Sequence, residues 1–324
     1  MCPPPRRDFL TTIAASAILL LGCTPRASLR VAVHPWVGYE TMFLARQHGW
    51  LDPERVRLVE TPSASDSVHL LGHGLVEAAA LTLDEVLRAC ALGLRLAVPL
   101  VFDVSVGADG VLARQPLRLT ELAGARIGVE QSAVGAMMLA AVLEQAGMSA
   151  QDVQLIHLHP NEHIAAWRAD KIDVLITFEP MLSALEVEGA VRIFDSRAMP
   201  DTIVDVLAIR QQALASHGPA IRHLVMASLR AVRDLTINPF DGAYRIGARL
   251  GQRPETVLAG LRGLLITDVA DNRRLLTGAS PLLAARAREV ASILRQAGIL
   301  PLHPDAQPSS PLDLLVTADY LPDL

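Results

Sequence analysis

Short apolar segments alternate with amphipathic segments along the first two thirds of the chain. The apolar segments are rich in Val, Ile and Leu and predict buried strands at 29–33, 56–60, 77–81, 94–104, 126–129, 153–157, 173–178, 191–194 and 204–209. The segments between them have apolar positions at helical spacing and predict helices at 38–48, 65–73, 133–146, 162–169 and 180–188. A further helix begins after Thr82, because Thr82 and Glu85 have the spacing of a capping box.

The alternation ends after Gln211, and the rest of the chain is predicted to be mostly helical, with helices at 217–235, 242–250, 254–261 and 280–298. Two successive sets of strands and helices without a long linker predict an α/β protein with two parallel-sheet lobes. Two short crossings, at 105–114 and 196–206, take the chain into the second lobe and back. We therefore expect a discontinuous lobe I, formed by 29–105 and 210–324, and a lobe II formed by 114–205.

Residues 1–23 have the pattern of a bacterial export signal. Arg6 and Arg7 precede an apolar run at 13–21, which is shorter than the roughly 20 residues that span a bilayer. The paired arginines resemble a twin-arginine motif, but ordinary signals also begin with basic residues. Leu20-Leu21-Gly22-Cys23 resembles a lipobox and predicts lipidation of Cys23, with palmitate among the acyl chains. We expect a periplasmic protein that is anchored to the membrane by lipid; the alternatives are an uncleaved anchor and a signal cleaved without lipidation.

The composition indicates a folded protein that does not bind nucleic acid. The 324 residues are 51% hydrophobic and 19% charged, which excludes a disordered chain and suits two domains. The formal net charge is −5 and aromatic residues make up 4%, so the chain has neither a basic field nor the aromatic content for base stacking. Three cysteines cannot form a disulfide scaffold, and Cys90 is expected to be a buried, non-catalytic thiol.

Several motifs occur in an order that resembles one family of binding proteins. They are His34-Pro35-Trp36-Val37-Gly38-Tyr39-Glu40, Leu44-Ala45-Arg46-Gln47-His48-Gly49, Leu122-Ala123-Gly124-Ala125-Arg126-Ile127-Gly128-Val129-Glu130, the stretch 165–173, Phe178-Glu179-Pro180 and Phe194-Asp195-Ser196. Over about residues 29–210, the chain resembles the substrate-binding proteins of ABC importers, in the branch for nitrate, sulfonate, taurine and thiamine precursors.

The resemblance implies a periplasmic binding protein type II-like fold, in which two lobes joined by two hinge crossings close on a ligand in the cleft between them. It implies a small-molecule ligand, an ABC permease as the membrane partner, and no cofactor; we also expect a monomer. In open parallel sheets, ligands bind beyond the carboxyl ends of the strands. The residues at strand ends are therefore the predicted ligand contacts: Trp36, Gly38, Tyr39, Asp84, Asp103, Ser105, Asp109, Glu130, Ser132, Glu179 and Asp205.

Several of these residues have a structural alternative. Trp36 either contacts the ligand or packs against its own lobe, and Ser132 either contacts it or only caps a helix. Asp109 either faces the cleft or forms a turn with Gly110. Asp205 lies in the return crossing and either contacts the ligand or fixes the hinge.

The predicted contacts carry an excess of negative charge. Glu130, Glu179 and Asp109 bring carboxylates to the cleft, and no arginine stands at a strand end in these motifs. Because a buried carboxylate beside a bound anion is costly unless protonated, we hypothesise an amine-bearing or zwitterionic small organic ligand; alternatively, the carboxylates point away. Glu85 is interpreted as a helix cap, and Asp84 either contacts the ligand or points outward.

Metal binding and catalysis have weaker support in the sequence. His69 and His73, and His157 and His159 with His163 nearby, have spacings that zinc sites use, but we interpret them as structural or solvated and expect no metal. No nucleophile elbow or phosphate loop is present, and the cysteine-rich segment of the thiamine-precursor synthase is missing, so we expect no enzyme. The alternative to import is a ligand-sensing lipoprotein that signals to a membrane receptor, which the sequence does not separate from import.

Overall fold

The computed structural model describes residues 28–130, 134–300 and 314–323, and its strands form two sheets. The first sheet contains β1 (Leu29–Val33), β2 (Val56–Glu60), β3 (Ala78–Thr82), β4 (Leu96–Ser105), β10 (Val204–Arg210), β11 (Leu264–Ile266) and β12 (Leu314–Val316). The second sheet contains β5 (Asp109–Ala113), β6 (Arg126–Val129), β7 (Gln154–His157), β8 (Val174–Phe178) and β9 (Val191–Asp195). The predicted α/β class and two-lobed fold are therefore confirmed, and we call the two halves the first-sheet lobe and the second-sheet lobe.

The sheets are mixed, which corrects the expectation of purely parallel lobes. The first sheet has the order β11-β4-β10-β3-β1-β2, with β12 paired to β4, and the second has the order β7-β6-β8-β5-β9. The β1–β2, β1–β3, β6–β7 and β6–β8 pairs are parallel, whereas β5 and β10 run antiparallel to their neighbours. β5 and β10 directly follow a passage between the lobes, where no crossover helix reverses the chain direction. The short strand β11 is also antiparallel to its neighbour β4.

The helices flank these sheets and agree with most of the predicted bounds to within two residues. They are α1 (Glu40–Gln47), α2 (Ala64–Gly72), α3 (Leu83–Ala91), α4 (Val134–Ala146), α5 (His163–Arg168), α6 (Met181–Val187), α7 (Gln211–Ile237), α8 (Pro239–Leu250), α9 (Pro254–Leu261), α10 (Val269–Leu276) and α11 (Leu282–Gln296). Among the predicted helices the largest difference is α7, which begins six residues before its predicted start at 217 and contains Pro219; α10 was not predicted. Ala213 and Ile221 are buried on either side of this proline, so packing offsets the lost backbone hydrogen bond.

Three strands were not predicted, because each is short or lies in a segment interpreted as a connection. Asp109 and Gly110 begin β5 and pair with Phe178 and Thr177, so the alternative that they form a turn is wrong. β11 and β12 have only three residues each and both pair with β4. They attach the C-terminal part of the chain to the first sheet. The boundaries predicted for lobes I and II stay a prediction.

A buried ion pair also holds the C-terminal helices to the first-sheet lobe. Arg249 of α8 forms a bidentate pair with Glu40 of α1, whose side chain is only 2% exposed, and donates a further hydrogen bond of 2.9 Å to Glu60. The same guanidinium lies 3.8 Å from the centroid of the Phe43 ring. Removing Arg249 would leave the buried Glu40 carboxylate unpaired.

The two passages between the lobes lie side by side and share hydrogen bonds. The Ser105 hydroxyl at the end of β4 lies 2.8 Å from the Ser196 hydroxyl, and it accepts from the Asp109 backbone N–H at 3.2 Å. The Ser196 hydroxyl accepts from the Gly107 N–H at 2.6 Å, and Gly107 has a φ of 121°, which only glycine adopts readily. The outward and return passages therefore form one connected hinge.

No helix in the described part of the chain combines the length and the apolar character needed to cross a membrane. The predicted export signal, the paired arginines and Cys23 lie outside the described residues.

Candidate functional site

A cavity lies between the two sheets, at the strand ends where the sequence places the ligand. The cavity is narrow: the centre of a water-sized molecule can move within only about 40 Å³ of it. The two lobes touch around it. Trp36 of the first-sheet lobe and Phe178 of the second-sheet lobe make an edge-to-face contact at 6.0 Å, and the Ser65 hydroxyl of α2 donates to the Glu130 carboxylate at 3.2 Å. The lobes are therefore nearly closed on each other in this structure.

The lining combines an apolar wall with polar groups that converge on the same space. The lining residues are His34, Trp36, Ala64, Thr82, Glu85, Asp109, Glu130, Val134, Gly135, Met138, His163, Ile176, Thr177, Phe178, Ile203 and Asp205. Four of the predicted contacts are among them: Trp36, Asp109, Glu130 and Asp205. Trp36 contacts both lobes, so it does not pack only against its own.

Three predicted contacts lie directly behind the cavity wall rather than on it. The Tyr39 hydroxyl donates to Asp205 at 2.5 Å, and the Trp36 indole N–H lies 3.4 Å from both oxygens of Asp103. Gly38 lies against Asp103 so closely that a Cβ atom there would be 1.9 Å from the carboxylate. The group packed against Gly38 is therefore the Asp103 carboxylate and not a ligand. Through these contacts, Tyr39, Gly38 and Asp103 position the cavity residues Asp205 and Trp36.

Three further predicted contacts are buried but bonded to neighbouring groups. Ser105 belongs to the hinge. Glu179 accepts hydrogen bonds from the Ser183 hydroxyl at 2.6 Å and from the Ser183 backbone N–H at 3.2 Å, and thereby stabilises the first turn of α6. Asp84 is 1% exposed in the first turn of α3, so it does not point outward. None of the three lines the cavity, and their contact with a ligand stays a prediction; Ser132 lies outside the described residues.

Twelve of the sixteen lining residues were not among the predicted contacts, and three of the twelve have ionisable side chains. His34 follows β1 directly, a position that the strand-end rule includes. Glu85 was interpreted as a cap, and it does accept from the Thr82 backbone N–H at 3.0 Å while also lining the cavity. His163 was grouped with His157 and His159, but those two are exposed, whereas the buried His163 ring reaches Thr177 at 3.0 Å. Sequence spacing could not reveal this, because the burial of His163 depends on how α5 packs on β8.

Burial shifts the cavity groups toward their uncharged forms. Loss of hydration raises the pKa of Asp109 to about 7 and that of Asp103 to about 8. Burial, reinforced by neighbouring carboxylates, raises the pKa of Asp205 and Glu85 well above the usual range. Burial also lowers the pKa of His34 and His163 to about 4, so both imidazoles are neutral near pH 7. The cavity at neutral pH therefore contains carboxyl groups that still hold protons and no imidazolium.

Several polar atoms that face the cavity have no hydrogen-bond partner among the described residues. Among them are Asp109 Oδ2, Asp205 Oδ2, His34 Nδ1 and His163 Nε2, and each is fully buried. Buried polar atoms are almost always satisfied in folded proteins, because an unpaired one costs a few kcal/mol. Such atoms from both lobes around one cavity indicate a site for a ligand that donates and accepts hydrogen bonds.

A family model matches residues 22–241, well over half of the chain, and its description is NMT1-like family. The chain belongs to the NMT1-like family. The matched range contains β1 to β10 and every residue that lines the cavity. The predicted resemblance to the substrate-binding proteins of ABC importers is confirmed by this match and by the relatives and structures that follow.

Two curated relatives of this NMT1-like chain are binding proteins by name. A binding protein of Brucella abortus (strain 2308) is 29% identical over 141 residues, which are 42% of this chain and 44% of that protein. The taurine-binding periplasmic protein of Escherichia coli (strain K12) is 27% identical over 122 residues, 37% of this chain and 38% of that protein. The chain thus spans less than half the length of the curated relatives that it matches.

The solved structures show the same fold over nearly the whole chain. The alkanesulfonate-binding protein SsuA from Xanthomonas axonopodis pv. citri, bound to MOPS, superposes with a TM-score of 0.73 at 20% identity. The superposition covers 85% of this chain and 95% of that one. At this identity the similarity establishes the two-lobed binding-protein fold and leaves the ligand to the residues of the cavity.

Proposed function

We propose that this protein is an extracytoplasmic solute-binding lipoprotein. It captures a small, amine-bearing organic ligand by closure of its two lobes and delivers that ligand to an ABC importer permease. The family, the two-lobed fold and the periplasmic relatives support solute binding outside the cytoplasm. The lipid anchor rests on the lipobox pattern that ends at Cys23.

The proposed ligand class rests on the charge of the residues that line the cavity. Glu85 and Asp205 come from the first-sheet lobe, Asp109 and Glu130 come from the second-sheet lobe, and none of the lining residues is Lys or Arg. A sulfonate or nitrate in this cavity would face carboxyl groups without a counter-charge. An ammonium group would be attracted to them and would satisfy the unpartnered oxygen of Asp109.

The architecture also explains how binding is reported to a membrane partner. The cavity is narrow and lies between the two lobes, so the entry of a ligand requires the lobes to separate at the Ser105–Ser196 hinge. Closure on the ligand then re-forms contacts such as Ser65–Glu130 between the lobes. A permease can recognise this closed arrangement of two lobe surfaces.

A thermal-shift screen of the purified protein against small amines, amino acids, sulfonates and nitrate tests the ligand class. A ligand that binds only the folded state raises the melting temperature, and we expect the strongest response from amines. Tight binding of nitrate or a plain alkanesulfonate, with no response to amines, would contradict it. Loss of uptake of the identified ligand in a strain that lacks the protein tests import, and a Cys23→Ser variant found free in the periplasm tests the lipid anchor.

A further inference from the structure

We infer that the cleft selects a small organic cation that lacks an acidic group, and that this cation enters in exchange for protons held by carboxyl groups of both lobes. The inference rests on the proposed function. It adds two statements to it: the ligand has a net positive charge, so zwitterions are excluded, and binding releases protons into solution.

The first argument is the distribution of charge around the cavity. An ammonium group placed between the lobes is within reach of Asp205 and Glu85 on one side and of Asp109 and Glu130 on the other. The acidic end of a zwitterion would lie in the same narrow space, with no Lys or Arg in the lining to receive it. Desolvating an anion without a counter-charge costs several kcal/mol, which is more than one added ammonium contact recovers.

The second argument is that two arginines of the second-sheet lobe are engaged in ion pairs. Arg192 forms a bidentate pair with Glu186, at 2.8 and 2.9 Å, and donates to the Gly107 carbonyl at 2.7 Å. Arg197 forms hydrogen bonds of 2.5 to 3.1 Å with the Asp195 carboxylate. Turning either guanidinium toward the cavity would break these pairs, so neither arginine is a ready partner for an anion there.

The third argument is the aromatic wall. Trp36 and Phe178 meet edge to face at 6.0 Å, and Phe178 also lies 6.2 Å from the His163 ring. A cation over an aromatic face gains about 0.5–2 kcal/mol. The neutral imidazoles of His34 and His163 can accept N–H hydrogen bonds through their unpartnered ring nitrogens without adding positive charge.

The proton exchange follows from the groups that face Asp109 and Asp205. The carboxyl groups packed around them are Asp84 and Glu85 on α3, Asp103 on β4, Glu130 after β6 and Glu179 after β8. The other titratable groups there are His34, Tyr39 and His163. Two cations lie at the edge of this cluster: Arg88 beside Asp84, and Arg192 beside Glu179.

These carboxyl groups repel one another when ionised. Asp103 lies opposite Asp205 on the neighbouring strand, and the charges of Glu85 and Glu130 interact across the cleft. Burial and this repulsion keep protons on several of the carboxyl groups near pH 7. A bound cation stabilises the carboxylate form, so carboxyl O–H bonds break and the protons pass to the buffer.

The test compares probes that share an aromatic or an ethyl skeleton and differ in the charged groups they carry. Phenethylamine, phenylalanine and 3-phenylpropionate form one set, and ethylamine, taurine and ethanesulfonate form a smaller one. We expect the cation of at least one set to raise the melting temperature of the purified protein at pH 7.5, and the zwitterion and anion of that set not to. A stronger response to a zwitterion or an anion would overturn the inference. The absence of any response at 20 mM would also overturn it, because recognition of the charge would be measurable at that concentration.

Two variants assign the response to the cavity. Asp109→Asn removes one cavity carboxylate at nearly constant shape and is expected to weaken binding of the cation at least tenfold. Glu144→Gln removes an exposed carboxylate from the same lobe and should leave affinity unchanged. Equal affinities in the two variants would overturn the assignment. If instead taurine or ethanesulfonate binds and Trp36→Ala abolishes that binding, the cavity remains a solute site and only the cation inference fails.

Calorimetry in two buffers of different ionisation enthalpy measures the proton exchange. We expect the release of at least half a proton per bound cation at pH 7.5, and less release at pH 9, where more of the carboxyl groups are already ionised. Proton uptake, or an identical heat in both buffers at pH 7.5, would overturn this part of the inference.

Discussion

The Tyr39 hydroxyl donates a hydrogen bond of 2.5 Å to Asp205, a residue 166 positions later in the chain. Tyr39 directly precedes α1, and Asp205 lies in β10, the strand by which the chain returns to the first sheet. The tyrosine thus holds a cavity carboxylate at the exact end of the second passage between the lobes. This contact joins the ligand site to the hinge.

Replacing Tyr39 by Phe tests that contact. The ring keeps its edge-to-face contacts with His34 and Phe102, at 5.2 and 5.3 Å, so only the hydroxyl is lost. A buried acceptor left unsatisfied costs about 1–3 kcal/mol, and we expect the free energy of unfolding to fall by that amount. Denaturant unfolding measures it, with Tyr244→Phe, at an exposed tyrosine, as the control. Equal stability of the two variants would show that Tyr39 does not hold Asp205.

The buried carboxyl groups predict an unusual dependence of stability on pH. The pKa is about 7 for Asp109 and about 8 for Asp103 in the folded protein, against about 4 in an unfolded chain. The stability they contribute is therefore complete below about pH 4 and is lost as the pH rises through 7 and 8. Because each pKa unit corresponds to about 1.4 kcal/mol, we expect the free energy of unfolding to fall by a few kcal/mol between pH 5.5 and pH 9.

Two Asp→Asn variants check which carboxyl groups cause this fall in stability with rising pH. Asp109→Asn should flatten the fall in stability between pH 5.5 and pH 9. Asp173→Asn is the control, because Arg126 lowers the pKa of Asp173 to about 2, and its contribution changes only in acid. Parallel curves for Asp109→Asn and the unmodified protein would contradict the assignment.

Gly38 is predicted to tolerate no side chain. A Cβ atom there would overlap Asp103 Oδ2 at 1.9 Å and approach the Trp36 indole nitrogen at 2.8 Å. We expect Gly38→Ala to destabilise the protein by roughly 1–3 kcal/mol, because the carboxylate or the indole must move. Gly72→Ala is the matched change, since Gly72 is helical and has open space around its Cβ position. It should be neutral or stabilise by about 0.5–1 kcal/mol. Similar melting temperatures for the two variants would rule out the clash.

The Glu40–Arg249 pair is predicted to be the stronger of two neighbouring ion pairs. Replacing Arg249 by Gln leaves the buried Glu40 unpaired, and such losses cost about 3–5 kcal/mol. On the same helix, one turn earlier, Arg245 pairs with Asp241 at 2.7 Å on the exposed surface. Arg245→Gln should therefore cost less than about 1 kcal/mol. Urea unfolding of both variants distinguishes the two cases, and equal losses would show that burial does not set the strength of the Arg249 pair.

Local patterns in the sequence predicted most elements of the fold, because apolar periodicity and caps act over a few residues. The helix over Pro254–Leu261 and the strand over Arg126–Val129 have the predicted bounds. Most other predicted elements differ by one or two residues at their ends. The short strands β11 and β12 were missed because three residues do not establish a period, and each is a strand only through its pairing with β4.

The sequence by itself determined the fold class, the family and the region of the site, since strand ends and motif order can be read along the chain. It also predicted Trp36, Asp109, Glu130 and Asp205 as ligand contacts, and all four line the cavity. Only the tertiary structure separated the cavity residues from those that support them. The carboxyl group of Glu85 faces the cavity, whereas that of Glu179 accepts hydrogen bonds from the first turn of α6. Which of the two occurs depends on contacts between distant segments. Burial and mutual repulsion of the acidic groups are likewise properties of three-dimensional packing, which no local pattern contains.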